Sequence, residues 1–307
     1  MNTKMLRLSK GLATASLAVA LSACGASRQA GWDREVTRAE GDAVAVLEAA
    51  EAAWAERGDV ESLRKAITLY EKAEAIEPGV RLDTSIRLAR AYYLMADGHH
   101  RGDSASQLKY YDLAVVWGER AMAHSEAFRK EVEAGKPVED AISVLGKEYA
   151  GAVYWAASGL GKWAKMKGFT TLLAQKNKVK KFMEYVSNVD PGYYYSGPAR
   201  YWGAYYAIAP SFAGGDPERS KAEFEKSLAE QPLFLGTKVL MADTWAPKVQ
   251  DKEAYRRLLQ EVIDGDAEAL ADVIPEQKIE QEKARELIAL IDDRFAAAPS
   301  DVRVASR

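Results

Sequence analysis

The sequence predicts an all-α fold: helix-turn-helix pairs stacked into a curved superhelix, with further helices inserted. Three observations lead there. Beyond residue 38 the chain is dominated by Ala, Glu, Lys, Leu and Arg, all strong helix formers. No run of alternating β-branched residues interrupts them. A short pattern also recurs: Tyr70-Glu71-Lys72-Ala73-Glu74-Ala75-Ile76-Glu77-Pro78 aligns without a gap with residues 183–191 and 224–232, and more weakly with 117–124, where Ser125 replaces the proline. Each copy has a large apolar residue, a small or apolar patch, and a helix stop.

The N-terminus stands apart from this fold. Residues 1–10 carry Lys4, Arg7 and Lys10 and no acid, residues 11–20 are apolar, small or hydroxylated, and Leu21-Ser22-Ala23-Cys24 follows. That order reads as a secretory signal, with an apolar core too short for the roughly 20 residues of a membrane span. Leu-Ser-Ala-Cys resembles the bacterial lipobox, which implies removal of residues 1–23 and lipidation of Cys24. Cys24 is the one cysteine in the sequence, so an intramolecular disulfide is excluded. Gly25, where inner-membrane retention usually uses Asp, points to outer-membrane anchoring on the periplasmic side. Residues 24–38 are expected as a flexible tether, 39–295 as the helical domain and 296–307 as a disordered tail.

Within the domain, Leu47, Ala50 and Trp54, then Leu63, Ile67, Tyr70, Ala73 and Ile76, recur at three- and four-residue spacing and so share one helical face. Gly58-Asp59 breaks the first helix and caps the second, and Pro78-Gly79 ends the second. The recurring copies resemble the second helix of tetratricopeptide repeats. Residues 84–97 and 197–206 supply partner helices. The prolines of successive copies lie 113 and 41 residues apart, so a fixed 34-residue array is ruled out and the repeats are degenerate. Residues 140–167 read as one unusually long helix. At Gly214-Gly215-Asp216-Pro217 the glycines end one segment, Asp216 caps the next helix, Pro217 takes its first position and Glu218 favours its positive end.

Charge and motif chemistry narrow the function. Removing the three basic residues of the leader from 42 Lys+Arg leaves 39 against 45 Asp+Glu, a net charge of −6. Nucleic-acid binding ordinarily shows a basic excess, and the single basic run, residues 176–181, reads as a solvated helix start. No Gly-x-Ser-x-Gly elbow is present. His99-His100 lies in a turn between two helices, without the i, i+4 spacing of a zinc pair. The adhesion-like string Arg101-Gly102-Asp103 recurs by chance and is given no role. Gly159-Leu160-Gly161-Lys162 fails as a nucleotide loop, because Ala156 and Trp163 stand where glycine and a hydroxyl are needed. Acid pairs such as Glu71/Glu74 and Asp292/Asp293 are expected on exposed faces. The expectation is a non-enzymatic protein with no metal and no cofactor.

Aromatics crowd the second half. Tyr154, Trp155, Trp163, Tyr194, Tyr201, Trp202, Tyr205 and Tyr206, interspersed with small residues such as Gly151, Gly159, Gly161 and Gly203, suit a ligand channel with an apolar body and polar tips. The same residues would also serve as helix-packing core.

Residues 149–263 resemble the T-component family of TRAP-type transporter systems, periplasmic lipoproteins of tetratricopeptide-like helices. The resemblance is carried by Tyr154-Trp155-Ala156-Ala157-Ser158-Gly159-Leu160-Gly161-Lys162-Trp163, Val189-Asp190-Pro191-Gly192-Tyr193, Arg200-Tyr201-Trp202-Gly203-Ala204-Tyr205-Tyr206-Ala207, Gly214-Gly215-Asp216-Pro217-Glu218-Arg219-Ser220 and Phe224-Glu225-Lys226-Ser227-Leu228. Residues 209–213 depart from the pattern. The resemblance implies an accessory protein that assists a periplasmic substrate-binding subunit, with a hydrophobic channel for a small-molecule ligand and trimer formation in at least one relative. Carried over by position, Tyr154-Trp155 and residues 201–206 become channel-lining candidates. The rival expectation is a tetratricopeptide-like scaffold whose concave face holds a partner's peptide in an envelope assembly.

Overall fold

The structure, a computed structural model, describes residues 28–79 and 81–295. Among them there is no strand. The signal segment, Cys24 and the tail from residue 296 lie outside the described residues.

Helices α1 (Ala43–Ala55) and α2 (Val60–Ile76) form the first hairpin, and α3 (Leu82–Leu94) and α4 (Ser104–Met122) the second. Two short helices, α5 (Glu126–Glu133) and α6 (Val138–Ala141), lead to α7 (Ala150–Lys167), which packs between α4 and α8 (Phe169–Val189). Then α9 (Tyr193–Ile208) pairs with α10 (Pro217–Glu230), and α11 (Leu235–Lys248) with α12 (Lys252–Ile263). Helix α13 (Ile274–Ala289) lies on α11 and α12, and the short α14 (Ile291–Arg294) ends the described chain.

The helix starts follow local chemistry. Asp42, Asp59, Asp103, Ser125, Asp216 and Asp251 each accept a hydrogen bond from a backbone N–H of the first turn, worth about 1 kcal/mol apiece. At Gly214-Gly215-Asp216 the expected punctuation holds. Gly214 adopts φ +95°, a Cβ on Gly215 would collide with the Ala209 carbonyl, and Asp216 takes the N–H groups of Glu218 and Arg219.

The large apolar residue that opens each recurring copy is buried in every case: Tyr70, Trp117, Met183 and Phe224. Two cores result. One joins α1 to α8, the other α9 to α13. Helix α13 also returns to the first half of the chain. Its Ile279 belongs to the first core, and its Glu276 accepts from Arg57 at 3.0 Å and 2.9 Å and from Arg90 at 2.6 Å.

Four expectations change. Residues 140–167 are not one helix: Leu145 and Gly146 are extended, Tyr185 Oη donates to the Gly146 carbonyl at 2.6 Å, and α7 starts only at Ala150. The basic run 176–181 lies in the middle of α8, which begins at Phe169 behind Gly168 (φ +103°). There Lys176 donates to the Ala213 carbonyl, and Lys181 meets Asp140 at 2.5 Å. Glu74 is buried, accepting from Gly79 N at 3.0 Å and from Ser85 Oγ at 3.3 Å. Burial raises its carboxyl pKa. Within the stretch expected as a tether, residues 28–34 are docked on α4: Arg28 reaches Asp112 and Glu119, and Gly31 N donates to Glu119 at 2.8 Å.

Candidate ligand cavities

Where the two cores face each other, α3, α4, α7, α8, α9, α11 and α13 leave two adjoining cavities. The larger, about 540 Å3, has Tyr111, Trp155, Tyr194, Phe234 and Ile279 among its walls, with Arg90, Asp97, Glu276 and Lys283 as polar groups. The smaller, about 260 Å3, is walled by Ala157, Gly161 and Ala164 of α7, Leu172 and Val179 of α8, and Tyr201, Ala204 and Tyr205 of α9. Tyr93, Tyr154, Lys162, Lys165, Arg200, Leu240 and Asp243 line both, which places them at the junction.

The small residues of α7 make the space. Gly161 has only Val179 within 4 Å of where a Cβ would stand, so it opens onto the smaller cavity. Gly118 of α4 brings that helix against α7: a Cβ there would stand 2.8 Å from the Ala152 carbonyl. This close approach holds α7 in place as the shared wall.

Two ion clusters fix the larger cavity. Asp97 accepts from Lys162 at 2.8 Å, Lys283 at 2.5 Å and the Tyr111 hydroxyl at 2.8 Å, tying α4, α7 and α13 to the end of α3. Burial alone would raise the Asp97 carboxyl pKa, but the two ammonium charges outweigh it and hold the group well below its ordinary value. Burial likewise works against ionised Glu276, and the guanidinium charges of Arg90 and Arg57 keep its pKa below the usual range. Arg90 and Arg57 lie over the Trp54 ring at 5.3 Å and 4.7 Å, a cation–π contact that replaces part of their lost hydration.

The backbone entering α9 is unusual. Tyr194, Tyr195 and Ser196 take φ values of 46°, 57° and 55°, three consecutive left-handed residues, none of them glycine. Each such conformation costs about 1–2 kcal/mol. Arg200 holds this arch from within: Nη1 donates to Tyr195 O at 2.8 Å and Nη2 to Tyr194 O at 3.0 Å. Outside, Tyr195 stacks on Phe234 at 4.9 Å and its hydroxyl bonds Asp272, while Ser196 Oγ donates to Glu230 at 2.6 Å. The arch delivers the Tyr194 ring into the larger cavity.

Five of the eight candidate residues reach a cavity: Tyr154, Trp155 and Tyr194 line the larger, and Tyr154, Tyr201 and Tyr205 the smaller. Three do not. Trp163 is buried in the first core, Trp202 donates from Nε1 to Ser187 Oγ at 3.0 Å, and the Tyr206 hydroxyl accepts from Arg219 at 2.6 Å. Helical periodicity explains the split, since Trp202 and Tyr206 lie four residues apart on one face of α9, and Tyr201, Ala204 and Tyr205 on another. Residues 208–210 and Ala213 border the smaller cavity, and Phe212 beside them is 83% exposed.

Sequence reasoning passed over the polar wall: Arg90, Tyr93, Asp97, Lys162, Arg200, Glu276 and Lys283. One signal was legible. Arg200 is the only charged residue between Asp190 and Asp216, in an otherwise apolar, aromatic and small stretch. The others sit among ordinary helix-surface charges, and nothing local marks them as buried.

The arrangement suits binding: apolar walls, hydroxyl-tipped aromatics and a few fixed charges. Among the described residues no helix is long and apolar enough to cross a membrane. No curated protein matches the chain. A family model described as TRAP transporter T-component matches residues 101–295, well beyond the 149–263 whose motifs carried the resemblance. With more than half of its length covered by that match, the chain belongs to the TRAP transporter T-component family and is an accessory component of a TRAP transporter.

Proposed function

We propose that this accessory component binds a small, partly apolar solute in the paired cavities and works without catalysing a reaction. On this reading a lipid on Cys24 holds it at the periplasmic face of the envelope, at the outer membrane, where it docks a periplasmic substrate-binding subunit. The observation that carries the reading is the cavity pair, with alanine, glycine and aromatic walls and polar groups at fixed points. Docking draws support from the rim of the smaller cavity, where Phe169, Leu173 and Ile208 are 60%, 50% and 43% exposed and stand near Phe212. Clustered exposed apolar residues beside a cavity mark contact surfaces.

Native mass spectrometry of the full chain, purified in mild detergent, tests the reading. A co-purified small molecule, released on denaturation and lost in a variant whose smaller cavity is filled by Gly161→Leu, is the expected result. A ligand-free wild type that captures only peptides would replace it with the scaffold reading.

A further inference from the structure

The charge pattern of the cavity walls is lopsided. All five carboxylates that line the larger cavity are ion-paired: Asp97 with Lys162 and Lys283, Asp243 with Arg294, Glu276 with Arg57 and Arg90, Glu280 with Lys283, and Glu286 with Arg101. Asp243 is the one carboxylate lining the smaller cavity, and Arg294 holds it at 2.5 Å. The cations are not all matched. Lys165 and Lys176 have no carboxylate partner among the described residues, and neither has Arg200.

Arg200 is the informative one, because it is only 6% exposed. A buried guanidinium is ordinarily paired, since the loss of hydration around a full charge is costly. Here four of its five N–H donors go to neutral oxygens: the carbonyls of Tyr194 and Tyr195, the Tyr154 hydroxyl at 3.2 Å and Thr237 Oγ1 at 3.4 Å. The last two are the long ones. The fifth donor, Nε, has no protein acceptor among the hydrogen bonds of the described residues.

The phenols around it show the same deficit. Tyr154 Oη accepts from Arg200, and its own proton has no acceptor among the described residues. Neither has the hydroxyl of Tyr93 at the junction or that of Tyr201 in the smaller cavity. Burial raises the Tyr93 and Tyr201 phenol pKa values, so both remain neutral donors. A full positive charge and the unused O–H groups of Tyr93 and Tyr154 therefore converge where the cavities meet, beside an apolar chamber that Tyr201 also lines.

From this convergence we infer that the site takes a monocarboxylate with an apolar body: its carboxylate sits at the junction on Arg200 and Tyr154, and its body lies in the smaller cavity among Ala157, Val179 and Ala204. A guanidinium fork matches a carboxylate in plane and charge. The wall carboxylates are already paired, so none is left free to repel an anion, and the unmatched Lys165 and Lys176 add positive charge along the smaller cavity. The inference rests on the ligand-binding reading above and adds the charge, position and orientation of the bound molecule.

The test is calorimetric titration of the full chain with octanoate and phenylacetate against the neutral octanamide and phenylacetamide. The wild type is expected to prefer each acid over its amide by roughly tenfold to a hundredfold, the range of a charged hydrogen bond. Arg200→Gln removes that preference, so that acid and amide bind within about threefold of each other. Because Arg200 also holds the left-handed arch, Arg200→Lys and Tyr154→Phe accompany it, each checked for an unchanged helical melt. Tyr154→Phe, which takes away one hydroxyl, weakens the acids several-fold and the amides less, because a charged acceptor loses the stronger hydrogen bond. Equal binding of acid and amide to the wild type, or a preference that survives in every variant, overturns the carboxylate anchor while the ligand-binding reading stands. Failure of all four probes to bind overturns both.

Discussion

Replacing Glu276 by Gln keeps the side chain's shape and removes its charge. Glu276 is the most buried charge by which α13 meets the first half of the chain, between Arg57 and Arg90, with side chains 8%, 7% and 19% exposed. At that burial the discount applied to surface pairs does not apply. Two buried guanidinium groups would be left over the Trp54 ring with no carboxylate. Breaking a buried pair in this way costs about 3–5 kcal/mol, and the remaining amide oxygen places Glu276→Gln near the lower end. For a domain of this size each kcal/mol moves the melting temperature by roughly 2 °C, so a fall of about 6 °C is expected in scanning calorimetry.

The pH dependence has a definite sign. The folded pKa of Glu276 is lowered, so its contribution is present above the unfolded value of 4.5 and fades as pH falls through the folded value. The gap between wild type and Glu276→Gln should be constant from neutral pH upward and narrow only below pH 4.5. A variant melting within about 2 °C of wild type at pH 7 would refute the idea that this cluster closes the fold.

Three further outcomes are expected. Gly118→Ala pushes a methyl to 2.8 Å from the Ala152 carbonyl across the α4–α7 crossing and should cost about 1–3 kcal/mol in chemical denaturation. Asp216→Ala removes the cap of α10 and should cost about 1 kcal/mol by the same measurement. In ligand titrations Tyr201→Ala should weaken binding, whereas Trp202→Phe and Tyr206→Phe, on the other face of α9, should leave it unchanged.

The sequence made the helices and many of their ends readable, because caps and apolar periodicity are local. Asp59 and Asp216 cap where their flanking glycines and proline put them. The break at residues 143–149 was not readable, since it depends on Tyr185, some 40 residues on, reaching the Gly146 carbonyl. Glu74 looked like a surface acid, and its burial follows from α3 packing across α2 to bring up Ser85. The aromatic wall was half legible. Tyr154 and Tyr201 could be named, but which ring of α9 faces a cavity is settled by the helix's rotation. The left-handed arch at Tyr194–Ser196 had no glycine to announce it, and Arg200 from within α9 sustains it. Pairing between Glu276 and Arg57, 219 positions apart, is set only by the closure of the whole chain.

The most direct measurement is a high-resolution crystal structure of the full chain as purified, with the cavity junction inspected before any ligand is added. Non-protein density is expected in the smaller cavity, reaching hydrogen-bond distance of Arg200 and the Tyr154 hydroxyl. A junction where Tyr201 and Tyr205 have turned inward to fill the space, with Arg200 paired to a carboxylate of the protein itself, would contradict it.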